Sequence, residues 1–427
     1  MIPFFAVLSM IACKSPCGER VDLSPRPHNH RISWPASGSR PGTVRLQVDG
    51  DDEQVIDAVR RDGDNVAEIR ELPPLTDVQY SLWDGEQLRC EDAWTTTPLP
   101  VRLPDLTVSG DDGGSWDRLV GSLMGTRYAV FSLDRRGRYR WHHFDTTDPL
   151  AIVDVHPGED GVRFNRLDER RRDDLGSIEV FGWDGALQQR IDTPRAHHFF
   201  TPLPDGSLVY LAIDVREWTN PETGLVESVV GDAVMERAPD GSVREIFTIW
   251  DHETPAPHGS WNNNFYPQGR DWSHGNGLFY QEGADSLLVS FGNIDLILEI
   301  DRQSGDVLSR IDPDVWTVQG HRFNFPHSPA WVGDDRLLVF SYVDGDTGAV
   351  EYRVDREART LTEVWAWTSS DVQQPFLGQA LRVDDGSTLV NFGASGRVVE
   401  VIDDEVTWQV DAPLGVWFGS VRPWRAP

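Results

Sequence analysis

The stretch Arg195-Ala-His-His-Phe-Phe-Thr-Pro-Leu-Pro-Asp-Gly-Ser-Leu-Val-Tyr-Leu-Ala-Ile213 sets a histidine pair ahead of the turn Pro204-Asp205-Gly206 and an apolar strand. The same order returns three times downstream. His274 precedes Gly283-Ala-Asp-Ser286 and the strand Leu287–Phe291. His327 precedes Gly333-Asp-Asp335 and the strand Leu337–Tyr342. Gln379 precedes Asp384-Asp-Gly386 and the strand Thr388–Phe392. A polar side chain, an Asp/Gly turn and a strand recurring at this interval signal a radial or stacked repeat. If each polar residue holds the same place in its repeat, all four converge.

Working outward, the chain from Leu106 onward is almost wholly strand and turn, and no run keeps a helical period. Turn signals such as Asp134-Arg-Arg-Gly137, Trp183-Asp-Gly185 and Pro239-Asp-Gly241 separate the strand candidates. About 320 residues at ~45–50 per four-stranded blade give six or seven blades, and the recurring turns give six. The expected fold is all-β: a six-bladed β-propeller over 106–427, with Val416–Val421 pairing with the first blade. Arg163–Arg172 reads as a charge-rich break. Residues 214–232 and 251–271 read as polar insertions, the second holding His258, Trp261 and Asn262–Asn264 and expected to overhang the site.

Ahead of the propeller, residues 31–105 show short alternating strands such as Thr43–Val48, Gln54–Val59 and Val78–Trp83. Glu71–Tyr80 resembles the stretch of fibronectin type III domains leading into the tyrosine corner, which implies a small β-sandwich. Residues 13–30 are polar and Pro-rich and read as a tether. Residues 2–12 form an apolar run too short to span a bilayer, ending at Cys13. This pattern predicts a lipoprotein signal over 1–12, lipid on Cys13, and placement in a bacterial envelope at the outer membrane. No Lys or Arg precedes the run, which departs from that pattern. Export would leave Cys17 and Cys90 in an oxidising compartment, either paired or as two free thiols.

Composition excludes one class of partner. Lys plus Arg number 39 against 69 Asp plus Glu, a net charge of −30, so phosphate backbones would be repelled and nucleic-acid binding is not expected. Seventeen Trp suit packing between facing sheets but show no docking repeat of regular period, which disfavours a quinone-type propeller.

Three imidazoles around one opening, His198, His274 and His327, allow two chemistries. They could hold a metal such as zinc, or one could act as nucleophile while the others donate or carry protons. Asn276, two residues beyond His274, faces the same way by strand alternation.

Asp271-Trp-Ser-His-Gly-Asn276 is similar to the Asp-Trp-x-His-x-Asn segment of the bacterial arylsulfotransferase family. His197-His198-Phe-Phe-Thr-Pro-Leu-Pro-Asp-Gly206 resembles its His-His-Asp-Phe…Leu-Pro-Asp-Gly motif, Phe325-Pro-His327 the segment with its nucleophilic histidine, and Gly378–Gly393 its last full blade. The resemblance spans roughly 107–421. It implies an exported propeller behind a small β-domain, transferring a sulfuryl group from an aryl sulfate to a phenol without a 3′-phosphoadenosine donor, a metal or another cofactor. His327 would be sulfated, His198 and His274 would hold sulfuryl oxygens or shuttle the phenol proton, and Asn276 would bond an oxygen. His197 and Gln379 complete the predicted substrate-binding set. A non-catalytic propeller binding a ligand or partner is the alternative.

The sequence departs from the family at two places. Phe199 stands where the family has Asp, and Gly292 where it has an arginine. Loss of a fixed cation would weaken transition-state stabilisation by about 3–4 kcal/mol, the cost of deleting one oxyanion donor. Arg270, His321 and Arg322 are the candidate substitutes.

Overall fold

The computed structural model describes residues 17–22, 29–99, 103–111, 113–125, 127–144, 150–168, 175–256, 265–372 and 376–425. The predicted signal, Cys13 and the segment His258–Asn264 lie outside them. The chain divides into two compact units: residues 1–103 with Arg138–Trp141, and the remainder.

The first unit contains two four-stranded antiparallel sheets. One runs in the order Glu19–Asp22, His30–Pro35, Asp64–Ile69, Val59–Arg61; the other runs Gln54–Asp57, Thr43–Val48, Asp77–Asp84, Gln87–Thr95. Alternation along the strands turns Ile32, Trp34, Val44, Leu46, Val78 and Leu82 into one core. Two sequence expectations change. Glu19–Asp22, read as tether, is a strand paired with His30–Ser33, and Cys17 is buried in the core and disulfide-bonded to Cys90. Gln54–Val59, read as one strand, breaks at buried Ala58, with its halves in different sheets.

The second unit is built largely from six sheets of four or five strands, antiparallel apart from two short additions. Large apolar clusters lie between successive sheets. Leu211, Val234 and Phe247 of one pack on Leu287, Val289 and Leu298 of the next. Ile297 and Ile311 then meet Val339 and Val350, and Phe340 meets Val390 and Phe392. Sheet edges are tied by buried polar side chains: Asn391 Nδ2 donates to the Gly419 carbonyl (2.6 Å), and the Val155 N–H donates to Ser420 Oγ (2.9 Å).

The ends of this unit are drawn into its first and last sheets. Trp417–Trp424 pairs with Arg118–Met124, and Thr107–Gly110 pairs with Glu405–Asp411. A buried ion pair joins the same two sheets: Arg135 Nη2 reaches Glu400 Oε2 at 2.7 Å, and Trp116 Nε1 donates to Glu400 Oε1 at 2.7 Å.

Two further readings are corrected. Residues 214–232 are not a loop insertion for most of their length; Leu208–Thr219 and Val226–Arg237 form one long hairpin, on which Arg270–Asp271 lies parallel. The charge-rich break begins inside a strand, Gly161–Leu167, whose buried Arg166 is neutralised by Glu179 (3.2 Å).

Candidate active site

The three histidines of the repeat lie on the first strand of three successive sheets, or at its threshold. His198 is within Ala196–Pro202, His274 directly precedes Gly275–Gln281, and His327 is within Asn324–Trp331. Each position coincides with a break in strand register: between His197 and Phe200, between Gly275 and Gly277, and on both sides of His327. Left-handed backbone accompanies the breaks, at His198 (φ 49°), His274 (φ 55°), Phe325 (φ 51°) and Ser328 (φ 46°). Such bulges re-aim a side chain, and non-glycine residues stay in this region only when neighbours hold them there. Those neighbours are visible. Asn165 Nδ2 donates to the His198 carbonyl (2.7 Å), the Gly292 N–H to the His274 carbonyl (2.9 Å), and the Phe325 N–H to Asp295 Oδ1 (2.6 Å).

The result is convergence. The rings of His198 and His274 stand edge to face with centroids 4.9 Å apart, and His198 and His327 are 6.3 Å apart. With His197 they are only 1–6% exposed, so bulk water does not screen their interactions. Phe265 packs on His198 and His274, Phe325 stacks on His274, and Phe199 meets the His327 ring edge to face. Among the described residues no group of side chains has an arrangement able to hold a metal ion.

Each histidine has a partner on its Nδ1 side. His274 Nδ1 is 2.5 Å from Asp271 Oδ2. His327 Nδ1 is 3.1 Å from Ser328 Oγ, whose own proton goes to the Gly378 carbonyl (3.3 Å). These contacts suit a proton on His327 Nδ1, an arrangement that would leave Nε2 as a lone pair. His197 and His198 face each other Nδ1 to Nδ1 at 3.0 Å. Burial and the neighbouring His274 push the His327 pKa down to about 3. Burial and three neighbouring imidazoles hold His198 well below the usual histidine range. Burial raises the Asp271 carboxyl, against the pull of His274.

Asn276 is completely buried; its oxygen accepts from Ser290 Oγ (2.7 Å), which leaves the Nδ2 donors without a partner. Gln379, predicted to bind substrate, has a structural partner of its own. It is buried, and its oxygen accepts the Val421 N–H (3.0 Å), so it ties the last sheet to the C-terminal strand.

The family arginine position is not a vacancy in this chain. A Cβ on Gly292 would lie 2.5 Å from Asn276 Nδ2 and 3.1 Å from the Phe325 ring. Asn276 and Phe325 occupy the space. Gly292→Ala is accordingly expected to lower stability by about 1–3 kcal/mol through overpacking, read as a drop in the urea midpoint at unchanged slope. An unchanged midpoint would show that the space is open. The three candidate substitutes for the cation are engaged elsewhere. Arg270 holds Glu227 (3.1 Å), His321 holds Glu363 (2.7 Å), and Arg322 holds Asp314.

Sequence reasoning missed four contributors: Asp232, Ser273, Ser290 and Ser328. Asp232 Oδ1 lies 3.1 Å from His197 Nε2, off the line of a good hydrogen bond, and Oδ2 accepts the Ser273 hydroxyl. Ser273 and Ser328 adjoin motif histidines, the one signal available for them.

Solved structures similar in part include a protein of unknown function from Bacteroides caccae. It is 17% identical, with 73% of this chain and 100% of that one covered and a TM-score of 0.47. A functionally unknown protein from Desulfotomaculum acetoxidans is 10% identical, with 82% and 96% covered and a TM-score of 0.43. A putative 6-phosphogluconolactonase from Bacteroides uniformis is 12% identical, with 73% and 84% covered and a TM-score of 0.40. At these values the likenesses decide neither fold nor activity. No curated protein matches the chain. A family model described as Arylsulfotransferase (ASST) matches residues 123–316, which carry His197, His198, His274 and Asn276 but end before His327. It is the arylsulfotransferase family, through this matched segment, that the chain resembles.

Proposed function

We propose that the protein transfers a sulfuryl group from an aryl sulfate to a phenol through a sulfohistidine on His327, without a 3′-phosphoadenosine donor. One observation carries the reading: three buried imidazoles meet at one place, and the contacts of His327 Nδ1 suit the tautomer in which Nε2 is the nucleophile. In the first half-reaction the Nε2 lone pair forms a bond to sulfur and the S–O bond to the aryl group breaks, releasing a phenolate. In the second, the acceptor phenol gives its proton to a neighbouring imidazole, its oxygen attacks sulfur, the N–S bond breaks and its electron pair returns to Nε2; that proton then leaves with the phenolate released from a donor or passes to solvent. Splitting one transfer into two lowers each barrier. In this reading the Nδ2 group of Asn276, which has no hydrogen-bond partner, donates to a sulfuryl oxygen, a bond that buried surroundings strengthen.

The reading includes a six-bladed propeller for the second unit. Six sheets support it, as do the edge strands that pack in sequence and the recruitment of both chain ends into the first and last sheets. It also includes a fibronectin type III-like sandwich for the first unit, supported by its two antiparallel sheets. Envelope placement with lipid on Cys13 is supported by the Cys17–Cys90 disulfide, which suits an oxidising compartment; detergent partitioning of the mature protein tests it.

The test of the activity is incubation with p-nitrophenyl sulfate and phenol. We expect p-nitrophenol to be released and phenyl sulfate to appear, and donor alone to add one SO3 mass to a peptide containing His327. A mass adduct on another residue, or turnover with no adduct, overturns the sulfohistidine. Absence of any transfer favours the ligand-binding alternative.

A further inference from the structure

The three histidines stand on three successive sheets, but the backbone of one of them is held from a fourth. The sheet before His198 in chain order, with Val155–Gly158 as its first strand and Gly161–Leu167 as its second, carries none of the three imidazoles. We propose that Asp154 and Asn165 of this sheet are positioning residues for His198: they grip the bulge on which it stands and so set its ring for the reaction. The task given to His198 rests on the sulfuryl-transfer reading; the grip itself does not.

The strand ladder pairs His197 with Leu211 and Phe200 with Tyr210, so His198 and Phe199 are bulged out of register. At His198 the backbone is left-handed (φ 49°), a conformation that a histidine keeps only where its surroundings impose it. Both ends of the bulge are tied to the neighbouring sheet. Asn165 Nδ2 donates to the His198 carbonyl (2.7 Å), and the Phe200 N–H donates to Asp154 Oδ2 (3.2 Å). The two ties are joined to each other, since Asn165 Oδ1 accepts the N–H groups of Val153 and Asp154, each at 2.9 Å. Asp154 and Asn165 are both buried, so water cannot replace a lost bond.

Asp154 is built to accept on both oxygens. Burial would raise its carboxyl, but His156 and Arg422 outweigh that and hold it below the usual carboxylate range. His156 Nε2 lies 3.0 Å from Oδ2; the Val155 N–H (3.0 Å) and Arg422 Nη2 (3.4 Å) donate to Oδ1. Arg422 comes from Trp417–Trp424, the C-terminal strand paired with Arg118–Met124, so the support of His198 extends to that strand.

The repeat supplies its own comparison. Asn391 stands on the second strand of its sheet, Thr388–Phe392, as Asn165 does on the second strand of its own. Its Nδ2 donates to the Gly419 carbonyl (2.6 Å), on the edge strand Trp417–Trp424. The bond is of the same kind, but its carbonyl belongs to a glycine. A tie between sheets at Gly419 is, at His198, a tie that also fixes a side chain of the site.

The test compares Asn165→Ala with Asn391→Ala, each assayed with p-nitrophenyl sulfate and phenol well below its own unfolding midpoint. Asn165→Ala is expected to lower kcat by about 10–10² with KM within about threefold of wild type, as for a reacting group moved by about 1 Å. Asn391→Ala is expected to keep kcat within about threefold of wild type. Equal losses in the two variants overturn the positioning role, because a loosened fold alone would give that pattern. Asp154→Asn is the second variant. Whichever way its amide turns, an NH2 group faces the Phe200 N–H or the Val155 N–H and Arg422. It should lower the same rate, and with Asn165→Ala lose less than the product of the two losses, because both release one bulge. Losses that multiply overturn the shared grip. A further measurement needs no turnover. In nitrogen-15 NMR the His198 ring signals should move in Asn165→Ala and hold in Asn391→Ala. Should the protein transfer no sulfuryl group, the function fails while this spectrum still decides the grip: His198 signals unmoved by Asn165→Ala overturn it.

Discussion

His327→Ala abolishes both half-reactions: no SO3 adduct forms with p-nitrophenyl sulfate, and transfer to phenol drops at least about 10⁴-fold, to background. The size follows from what the residue supplies. Losing a hydrogen-bond donor such as Asn276 removes part of a barrier reduction, about 10²–10³ in rate. Losing the nucleophile removes the route, because no other described group near the cluster combines a free lone pair with a proton fixed on its opposite side by a serine. The measurement is mass spectrometry of donor-treated protein with stopped-flow release of p-nitrophenol. An alanine variant that still accumulates the adduct would move the nucleophile to another residue.

The histidines were legible in the sequence for a physical reason. A strand preceded by an Asp/Gly turn has few ways to recur, so a polar residue at a similar offset from it tends to recur in space as well. His198, His274 and His327 meet in this way. Their backbone was not legible: nothing in Phe325-Pro-His327-Ser328 announces two left-handed residues around a bulge, since Gly, Asn and Asp, which favour that region, are absent there. Gln379 stands at a similar offset, but its strand keeps register with its partner and its amide oxygen accepts the Val421 N–H.

Asp232 was hidden for a different reason. It lies in 214–232, where Arg216, Glu217, Asn220, Glu222 and Glu227 nearby give the composition of a loop. The hairpin that forms instead has an exposed outer part, so its polarity reflects solvent exposure rather than irregular backbone. Only its inner part is buried, and there Val229-Val-Gly-Asp232 runs without alternation because both faces are covered. The meaning of Gly292 was also spatial. As a letter it reads as a lost cation; in place it is the room that Asn276 and Phe325 fill.

The same burial that keeps His327 neutral predicts a steep acid instability. Above pH about 6.5 the imidazole is neutral whether the chain is folded or unfolded, and contributes no pH dependence. As pH falls below that value the unfolded chain takes up a proton, while the folded protein, with its His327 pKa at about 3, does not. Stability is therefore present above about pH 6.5 and lost at about 1.4 kcal/mol per pH unit down to about 3. Between pH 7 and pH 5 His327 alone removes about 2 kcal/mol, and over the whole window about 4 kcal/mol. His198 and His156, both lowered chiefly by burial, act with the same sign. The depressed carboxylates Asp154 and Asp232 lose their contribution only as pH falls past their unfolded value near 3.9, whereas Asp271 and Asp295, raised by burial, act with the opposite sign, so a comparison with a variant that cannot titrate is what isolates His327. Urea unfolding at pH 7, 6 and 5 makes that comparison. His327→Gln, which cannot titrate, should lose about 2 kcal/mol less over the same interval, whatever its stability at pH 7. Equal slopes for the two proteins would mean that His327 is protonated in the fold at pH 5, and so is no neutral nucleophile at mildly acidic pH.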